Sequence, residues 1–551
     1  MKYILSIIIL IYCILFIYGC ATVTQPTGGP RDVKPPEMQT SYPENGQLNY
    51  KGKTIEITFD ENVDLVNHQK EILVTPSLSE DIDGIYKKNK VIITLNEELQ
   101  ENTTYTFNFR ESIRDLTEKN AATDLKIAFS TGDFIDSSYI EGKVYNLLTA
   151  KPVPEVLIGL YYADDTLNII NKAPIYLAYS KKDGTYRFDN IRAGQYKIYA
   201  VSDKNKNSIV DFKNELYGFE SEILQLDTGL INVDIPMVYN DLRPLKLQSA
   251  RAAGKYYNIK YNKYVYDYKI KSEPFVYSTF EEDHATLKLY NDSSFTDSLK
   301  IIIETTDSTF YTYTDSLYLK FAKSPRGYTE YSFAIAQQKI NKKINKYEGV
   351  INFNKPSFFL NRDSIFYTID TLIRVPYDSF TFKWNLNRTQ LDYAVNINSY
   401  LTDSSDLTLN NFQIAPQSFI SIDKDTSTTG MAKPVFYTSE QTGTIEYTIN
   451  TEVPHFIVQL LDNKYTVLQQ QFENKKGDFR TLDPGNYMLR IIIDENGNGR
   501  WDPGDIIKNI KPEPVVYYKD EEEKPVIILK ANWINDSPNI TYPPVDNPVD
   551  M

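Results

Sequence analysis

The chain reads as all-β, a row of tandem β-sandwich domains, and three observations predict this. Its 551 residues include 43 Tyr and 27 Phe, with frequent Thr, Ile and Val, which is the composition of strands. Apolar residues recur at every second position, as in Ile55, Ile57 and Phe59, then Val91 and Ile93, then Tyr105, Phe107 and Phe109, then Leu125, Ile127 and Phe129. Period two places each set on one face of a strand. The 27 Pro and 23 Gly punctuate the chain at intervals that suit short strands and turns. A chain of this length is too long for one core, so several domains are expected.

Lys2 supplies a basic start, and Ile4 to Ile17 is apolar apart from Ser6, Tyr12 and Cys13. That run is shorter than the roughly 20 residues of a membrane-spanning helix and reads as a secretion signal, residues 1–19. The run Ile17-Tyr18-Gly19-Cys20 ends it. A cysteine just after the cut resembles the lipobox of bacterial lipoproteins. The resemblance implies cleavage before Cys20 and acylation of its thiol and amine, so that an N-terminal lipid hangs the mature chain from a membrane. Several acyl chains anchor stably, since each buried methylene contributes about 0.8 kcal/mol. Tyr18 departs from the small residue usual at its place, which keeps a plain secretory signal or an uncleaved anchor as the alternative. Residues 20–36, rich in Gly and Pro and without periodicity, read as the lipidated tether. They lack the acidic run that often marks surface export in Bacteroidetes, so the periplasmic and the surface-exposed face of the outer membrane both stay open.

Residues 37–135 hold the alternating sets above. The phrases Pro35-Pro36, Ser41-Tyr42-Pro43-Glu44-Asn45-Gly46, Ile57-Thr58-Phe59-Asp60 and Phe129-Ser130-Thr131-Gly132 resemble the bacterial Ig-like domain of S-layer proteins and Bacteroidetes lipoproteins. That resemblance implies a sandwich without catalysis. Residues 138–240 open on Ile140-x-Gly142-x-Val144, continue through Asp183-Gly184-Thr185-Tyr186, a hairpin-turn signal, and reach Ile191-x-Ala193-Gly194-x-Tyr196. They resemble the carboxypeptidase regulatory-like, or transthyretin-like, domain, a seven-stranded spacer or interaction module without peptidase activity. Residues 241–345 and 346–430 alternate and are Tyr-rich. They read as two further sandwiches, with Ig-like as one reading of the first, a break near Lys355-Pro356 and a short helix or amphipathic connector from Ala334 to Lys346. Residues 431–535 repeat the second domain: Leu482-Asp483-Pro484-Gly485-Asn486-Tyr487 mirrors Ile191-Arg192-Ala193-Gly194-Gln195-Tyr196. Residues 536–551, rich in Pro, Asn and Asp, read as a disordered tail.

Nine residues after the shared glycine, both repeats run into an acidic loop. The C-terminal loop places Asp494, Asn496, Asn498, Asp502 and Asp505 at positions 1, 3, 5, 9 and 12, with Gly499 at 6. Those positions of a calcium loop call for oxygen ligands and a sharp turn. Asp505 is one methylene shorter than the usual Glu. The first copy places Asp203, Asn205, Asn207 and Asp211 in the same way, has Ser208 in place of Gly, carries Lys204 and Lys206, and has Glu215 one place late as a substitute ligand. A bound Ca2+ would stiffen a domain that has no disulfide. The competing reading is a polar Asn/Gly turn.

The composition also excludes. Net charge is -14 and no Lys/Arg cluster stands out, which argues against nucleic acid as a partner. The two cysteines, Cys13 and Cys20, fall in the signal and at the lipid, leaving none for thiol chemistry. His68, His284 and His455 lie in separate domains, so a zinc site is not expected. No nucleophile elbow, phosphate loop or dinucleotide fingerprint occurs. Trp384 and Trp533 are the best candidates for exposed platforms, and Trp501 is expected to pack within its loop. The sequence thus predicts a lipid-anchored outer-membrane protein that is not an enzyme. It would act as scaffold or accessory subunit of an assembly or export complex, with outer-membrane proteins as partners. The alternative is a surface glycan-binding protein or adhesin.

Overall fold

A computed structural model describes all residues except 1–31, 167, 292–297, 322–328, 337–338, 342–345, 370–372, 402–409, 438 and 544–551. The signal, Cys13, Cys20 and most of the tether lie outside the described residues. Among the described residues the regular secondary structure is almost all strand, arranged as successive two-sheet units.

In the first sandwich one sheet runs Met38–Tyr42, Thr54–Phe59, Lys90–Leu95, Ile82–Lys87, and the other Leu73–Thr75, Thr104–Asn108, Lys126–Ser130. The alternating residues meet between the sheets: Ile55, Ile57, Phe59, Val91, Ile93, Phe107, Phe109, Ile127 and Phe129 are all buried. Phe129 is the centre of a ring cluster, its centroid 4.8 Å from Tyr50 and 5.8 Å from Phe107. Edge and offset ring pairs add to the area they bury.

The second and last sandwiches share one topology. In the second, Thr185–Ile191, Ser138–Asn146 and Gly229–Leu230 form one sheet, and Tyr176–Tyr179, Leu157–Tyr162, Gly194–Val201 and Tyr217–Phe219 the other. In the last, the corresponding sheets are Lys476–Leu482, Gly443–Thr451 and Ile534–Asn535, and Val467–Phe472, Phe456–Leu461, Gly485–Ile493 and Val515–Tyr517. The repeated Gly-x-Tyr phrase has a physical role. The buried hydroxyls of Tyr196 and Tyr487 each donate to the carbonyl four residues back, on Arg192 and Asp483, both at 2.7 Å. Each tyrosine so locks the turn that starts its strand.

Between them lie two more sandwiches, with cores over 245–321 and 331–432. Here the structure corrects four expectations. Ala334 to Lys346 forms no helix where it is described: Phe333–Ile335 and Lys339–Asn341 are strands. Phe333–Ile335 pairs with Lys346–Phe353, so the divide expected between 345 and 346 falls inside one sheet. The Lys355-Pro356 break also falls inside the 331–432 core, because Ser357–Phe359 pairs with Phe419–Ser421. The last sandwich runs past 535: Asn539–Tyr542 pairs in parallel with Thr448–Thr451 and buries Ile540. Strand pairing supplies the order that the polar composition of that stretch does not suggest.

The sandwiches also grip one another. The Ser77 amide donates to Ile175 O at 2.7 Å, and Lys126 pairs with Asp189 at 3.0 Å, joining first to second. The second and last share an apolar cluster in which Tyr161, Tyr217 and Val238 meet Ile506, Trp501 and Val515. Buried Arg490 donates to Leu148 O at 2.6 Å, to Gln459 Oε1 at 2.9 Å and to the Tyr517 hydroxyl at 3.1 Å.

Candidate functional site

Both acidic loops share one frame, a cage of side-chain-to-amide bonds, and differ at its fourth side chain, where Asp502 accepts from two Asn side chains and Asp211 from the Lys213 amide at 2.9 Å. Each leaves the end of the strand that carries the Gly-x-Tyr tyrosine. In the C-terminal loop buried Asp494 accepts from the amides of Asn498 at 3.0 Å and Gly499 at 2.7 Å. Asn496 Oδ1 accepts from the Asn498 amide at 3.1 Å and Asn498 Oδ1 from the Arg500 amide at 3.0 Å. The two Asn amide groups donate to Asp502 Oδ2, that of Asn498 at 2.8 Å. The first loop repeats the pattern: Asp203 accepts from Asn207 at 3.0 Å and Ser208 at 2.8 Å, Asn205 from Asn207 at 3.0 Å and Asn207 from Ile209 at 3.0 Å. Local side-chain-to-amide bonds of this kind favour Asp and Asn at turns. Gly497 and Gly499 sit at φ +69° and +78°, where their lack of a Cβ removes the strain.

The structure does not bring Asp505 into the cage. Its carboxylate accepts from the amides of Ile507 at 2.9 Å and Lys508 at 3.2 Å and faces Lys508 Nζ at 3.4 Å, closing a separate turn. The cage is closed by Glu513, which sequence reasoning missed. Its two oxygens accept from the amides of Glu495 and Asp502, both at 2.9 Å. Glu215 does the same in the first loop, accepting from Lys204 at 2.8 Å and Asp211 at 2.7 Å. Glu215 follows Asp211 by four positions, whereas Glu513 follows Asp502 by eleven, and the extra residues obscure the match. The signal was in the following strand, where Glu215-Leu-Tyr217-Gly-Phe219 corresponds to Glu513-Pro-Val515-Val-Tyr517. The extra turn serves the repeat–repeat contact: Ile506 is buried there, and Gly504 O accepts from Asn240 at 3.0 Å.

Burial pushes the Glu513 carboxyl up to about 7; the Asp502 and Glu495 amides oppose this, and the Asp502 and Asp494 carboxylates add to it. Asp502 Oδ1 is buried without a hydrogen-bond partner. Among the described residues no three His, Cys, Asp or Glu side chains converge closely enough to hold a metal ion. The cage oxygens rest on amides. In kind, all-oxygen donors of Asp, Asn and Glu fit a hard cation such as calcium.

The aromatic candidates separate. Trp384 is no platform: it packs against Phe353, Phe359 and Phe419 at 5.3, 5.6 and 6.2 Å. Trp533 is half exposed, with Lys530 Nζ 4.4 Å above its ring. Trp501 donates to Glu513 O at 3.0 Å and also enters the apolar cluster between the repeats. Of the histidines, His455 pairs with Glu473 at 2.6 Å. Among the described residues no helix is long and apolar enough to cross a membrane.

Sheets, turns and cores define an all-β protein of tandem β-sandwiches. Residues 32–131, the first sandwich, match the family described as bacterial Ig-like domain. No curated protein matches the chain. Several solved structures are similar to it. An L,D-transpeptidase from Mycobacterium smegmatis is 10% identical, over 23% of this chain and 62% of that one, with TM-score 0.14. The major pilin subunit BcpA of Bacillus cereus is 11% identical, over 73% and 98%, with TM-score 0.14. Domains 1–6 of the surface layer protein SbsC are 11% identical, over 89% and 67%, with TM-score 0.15. The chain thus spans about three-fifths of the transpeptidase's length.

Proposed function

We propose that this chain is a non-catalytic scaffold, anchored by lipid on Cys20 to the outer membrane of a Bacteroidetes-type bacterium, that holds outer-membrane proteins in an assembly or export complex. The observation that carries the reading is the closure of the last sandwich on the second through Arg490, Trp501 and Ile506. Modules bolted together in this way keep a fixed spacing between anchor and contact surface, which a scaffold needs. The apolar run before Cys20 supports the anchor. Intact-mass measurement of the mature protein is expected to show acyl chains on Cys20, and Cys20→Ser to release the protein from membranes. Cross-linking in isolated outer membranes is expected to yield specific adducts with membrane proteins. An unmodified sulfur overturns the anchor; direct sugar binding without such adducts overturns the scaffold in favour of an adhesin.

Asp494, Asn496, Asn498, Asp502 and Glu513 would hold a calcium ion only by exchanging the amides they now accept from for the cation and drawing closer together, with Asp203, Asn205, Asn207, Asp211 and Glu215 as the weaker copy. The ion would supply rigidity and no reaction step. Without calcium, native Glu513 keeps its proton between its ordinary value of 4.5 and about 7, whereas the unfolded chain loses it. Native protein then binds more protons than unfolded protein, so stability falls as pH rises through that window and levels off above it. In chelator, hydrogen exchange at the amides of Asn498, Gly499 and Asp502 is expected to quicken beyond the intrinsic pH effect across this range. Calcium at neutral pH is expected to restore protection and release a proton. Glu513→Gln should flatten both responses; equal protection with calcium and with chelator retires the ion.

A further inference from the structure

The two repeats differ at one matching edge. In the second sandwich the edge strand Tyr176–Tyr179 alternates buried and half-buried, and the first sandwich lies along it, with Ser77 bonded to Ile175 O at 2.7 Å and to Pro174 O at 3.0 Å. In the last sandwich the corresponding edge is Val467–Phe472, and among the described residues no strand pairs with its outer side. Its sequence, Val-Leu-Gln-Gln-Gln-Phe, carries no charge, and Val467, Leu468 and Phe472 are 40%, 46% and 51% exposed. The strand carries no Lys or Pro of the kind that blunts an edge; its one irregularity is a register shift at Leu468, which leaves Gln469 to Phe472 regularly paired.

The edge is also held firmly. Gln471 accepts from the Tyr447 hydroxyl at 2.7 Å and donates to Asp478 O at 2.7 Å, and Gln459 donates to Gln470 Oε1 at 3.1 Å. Register sets Phe472 beside Ile457 and Gln470 beside Gln459, on the face that also carries Arg490. That face is the repeat–repeat interface, so the exposed residues extend a contact surface already in use.

We propose that Val467–Phe472 pairs antiparallel with the same strand of a second copy of this chain, joining two last sandwiches across a two-fold axis at Gln470. That register sets Gln470 opposite its copy and Phe472 opposite Leu468, so no charged residue within the strand faces a like charge. The sheet becomes continuous through the dimer, and the unpaired backbone groups of both edges are satisfied. The chain's charge of -14 opposes association, so added salt strengthens it.

Sedimentation equilibrium of the mature chain tests this. Wild type is expected to shift from monomer to dimer with rising concentration, and more readily at higher salt. Gln470→Lys and Gln470→Glu should each stay monomeric, because each places like charges face to face. An equal mixture of the two should recover the dimer. Unchanged circular dichroism of both variants shows that the exposed substitution leaves the fold intact. Wild type that stays monomeric throughout its soluble range overturns the proposal, as does a dimer that survives Gln470→Lys.

Discussion

Replacing Lys263 by Met is expected to destabilise the third sandwich by about 3–5 kcal/mol, the usual cost of leaving one partner of a buried ion pair alone. The Lys263 and Asp307 side chains are 2% and 1% exposed and meet at 2.7 Å. Lys263 also donates to Asp241 O at 2.8 Å, tying the sandwich to the segment that enters it. Asp307 is shielded from water. Its other oxygen accepts from the Thr309 amide and hydroxyl at 2.9 and 2.6 Å and from the Tyr311 amide at 3.2 Å, fixing the turn that joins two strands. The lost cation therefore leaves a carboxylate in a low-dielectric site with one oxygen uncompensated. Urea unfolding, followed by hydrogen exchange in Leu299–Asp307 and Thr312–Leu319, measures the change for this sandwich alone. The double variant Lys263→Met, Asp307→Asn is expected to recover much of it, since removing both charges removes the penalty with the attraction. A loss below about 1 kcal/mol for the single variant would contradict the burial that the argument uses.

Lys355→Met is expected to cost about 3 kcal/mol, the lower end of the same range because one partner is partly exposed. Lys355 Nζ lies 2.8 Å from Asp425 and 3.0 Å from Asp423, with side-chain exposures of 1%, 27% and 7%. The Tyr256 hydroxyl of the third sandwich donates to Asp423 at 2.5 Å. Burial, then Asp423, drives the Tyr256 hydroxyl far above its ordinary range, so it remains a donor throughout accessible pH. Around this group Tyr256, Tyr290 and Ile422 form a small core joining the third and fourth sandwiches. Without the cation two neighbouring carboxylates repel, and Asp423 turns from Tyr256 toward solvent. Small-angle scattering should then show a looser joint. A substitution that lowers stability yet leaves the scattering curve unchanged would confine the lysine's role to the fourth sandwich.

Much of the fold was legible because its cause is local. Ile55, Ile57 and Phe59 alternate, and alternation alone selects the buried face. Asp183-Gly184 marks a turn through the positive φ of Gly184, +79°, but not the hairpin expected: Tyr176–Tyr179 before it and Thr185–Ile191 after it belong to opposite sheets. The Gly-x-Tyr phrase marks the repeat in the sequence, because each tyrosine bonds only four residues back. The acidic loops were legible up to Asp502, since Asp494 to Asn498 bond to amides within five residues. Past that point spacing failed. Asp505 stood at the expected distance along the chain and closes a different turn, while Glu513 closes the cage from the next strand. Trp384 failed as a platform for a related reason: the rings that cover it, Phe353, Phe359 and Phe419, come from three separate strands.

The sequence by itself determined the all-strand class, the first sandwich, the repeat and the polar architecture of its loops. Each is written in neighbours a few positions apart, where period and turn chemistry act directly. Only the tertiary structure decided which sandwiches join, which carboxylate completes the cage and which edge is left bare. Arg490 meets Leu148 across 342 residues of chain, and Tyr256 meets Asp423 across 167. Nothing in the local pattern of either segment encodes its partner; the contact exists because folding desolvates both groups together and each must find a hydrogen bond when water leaves.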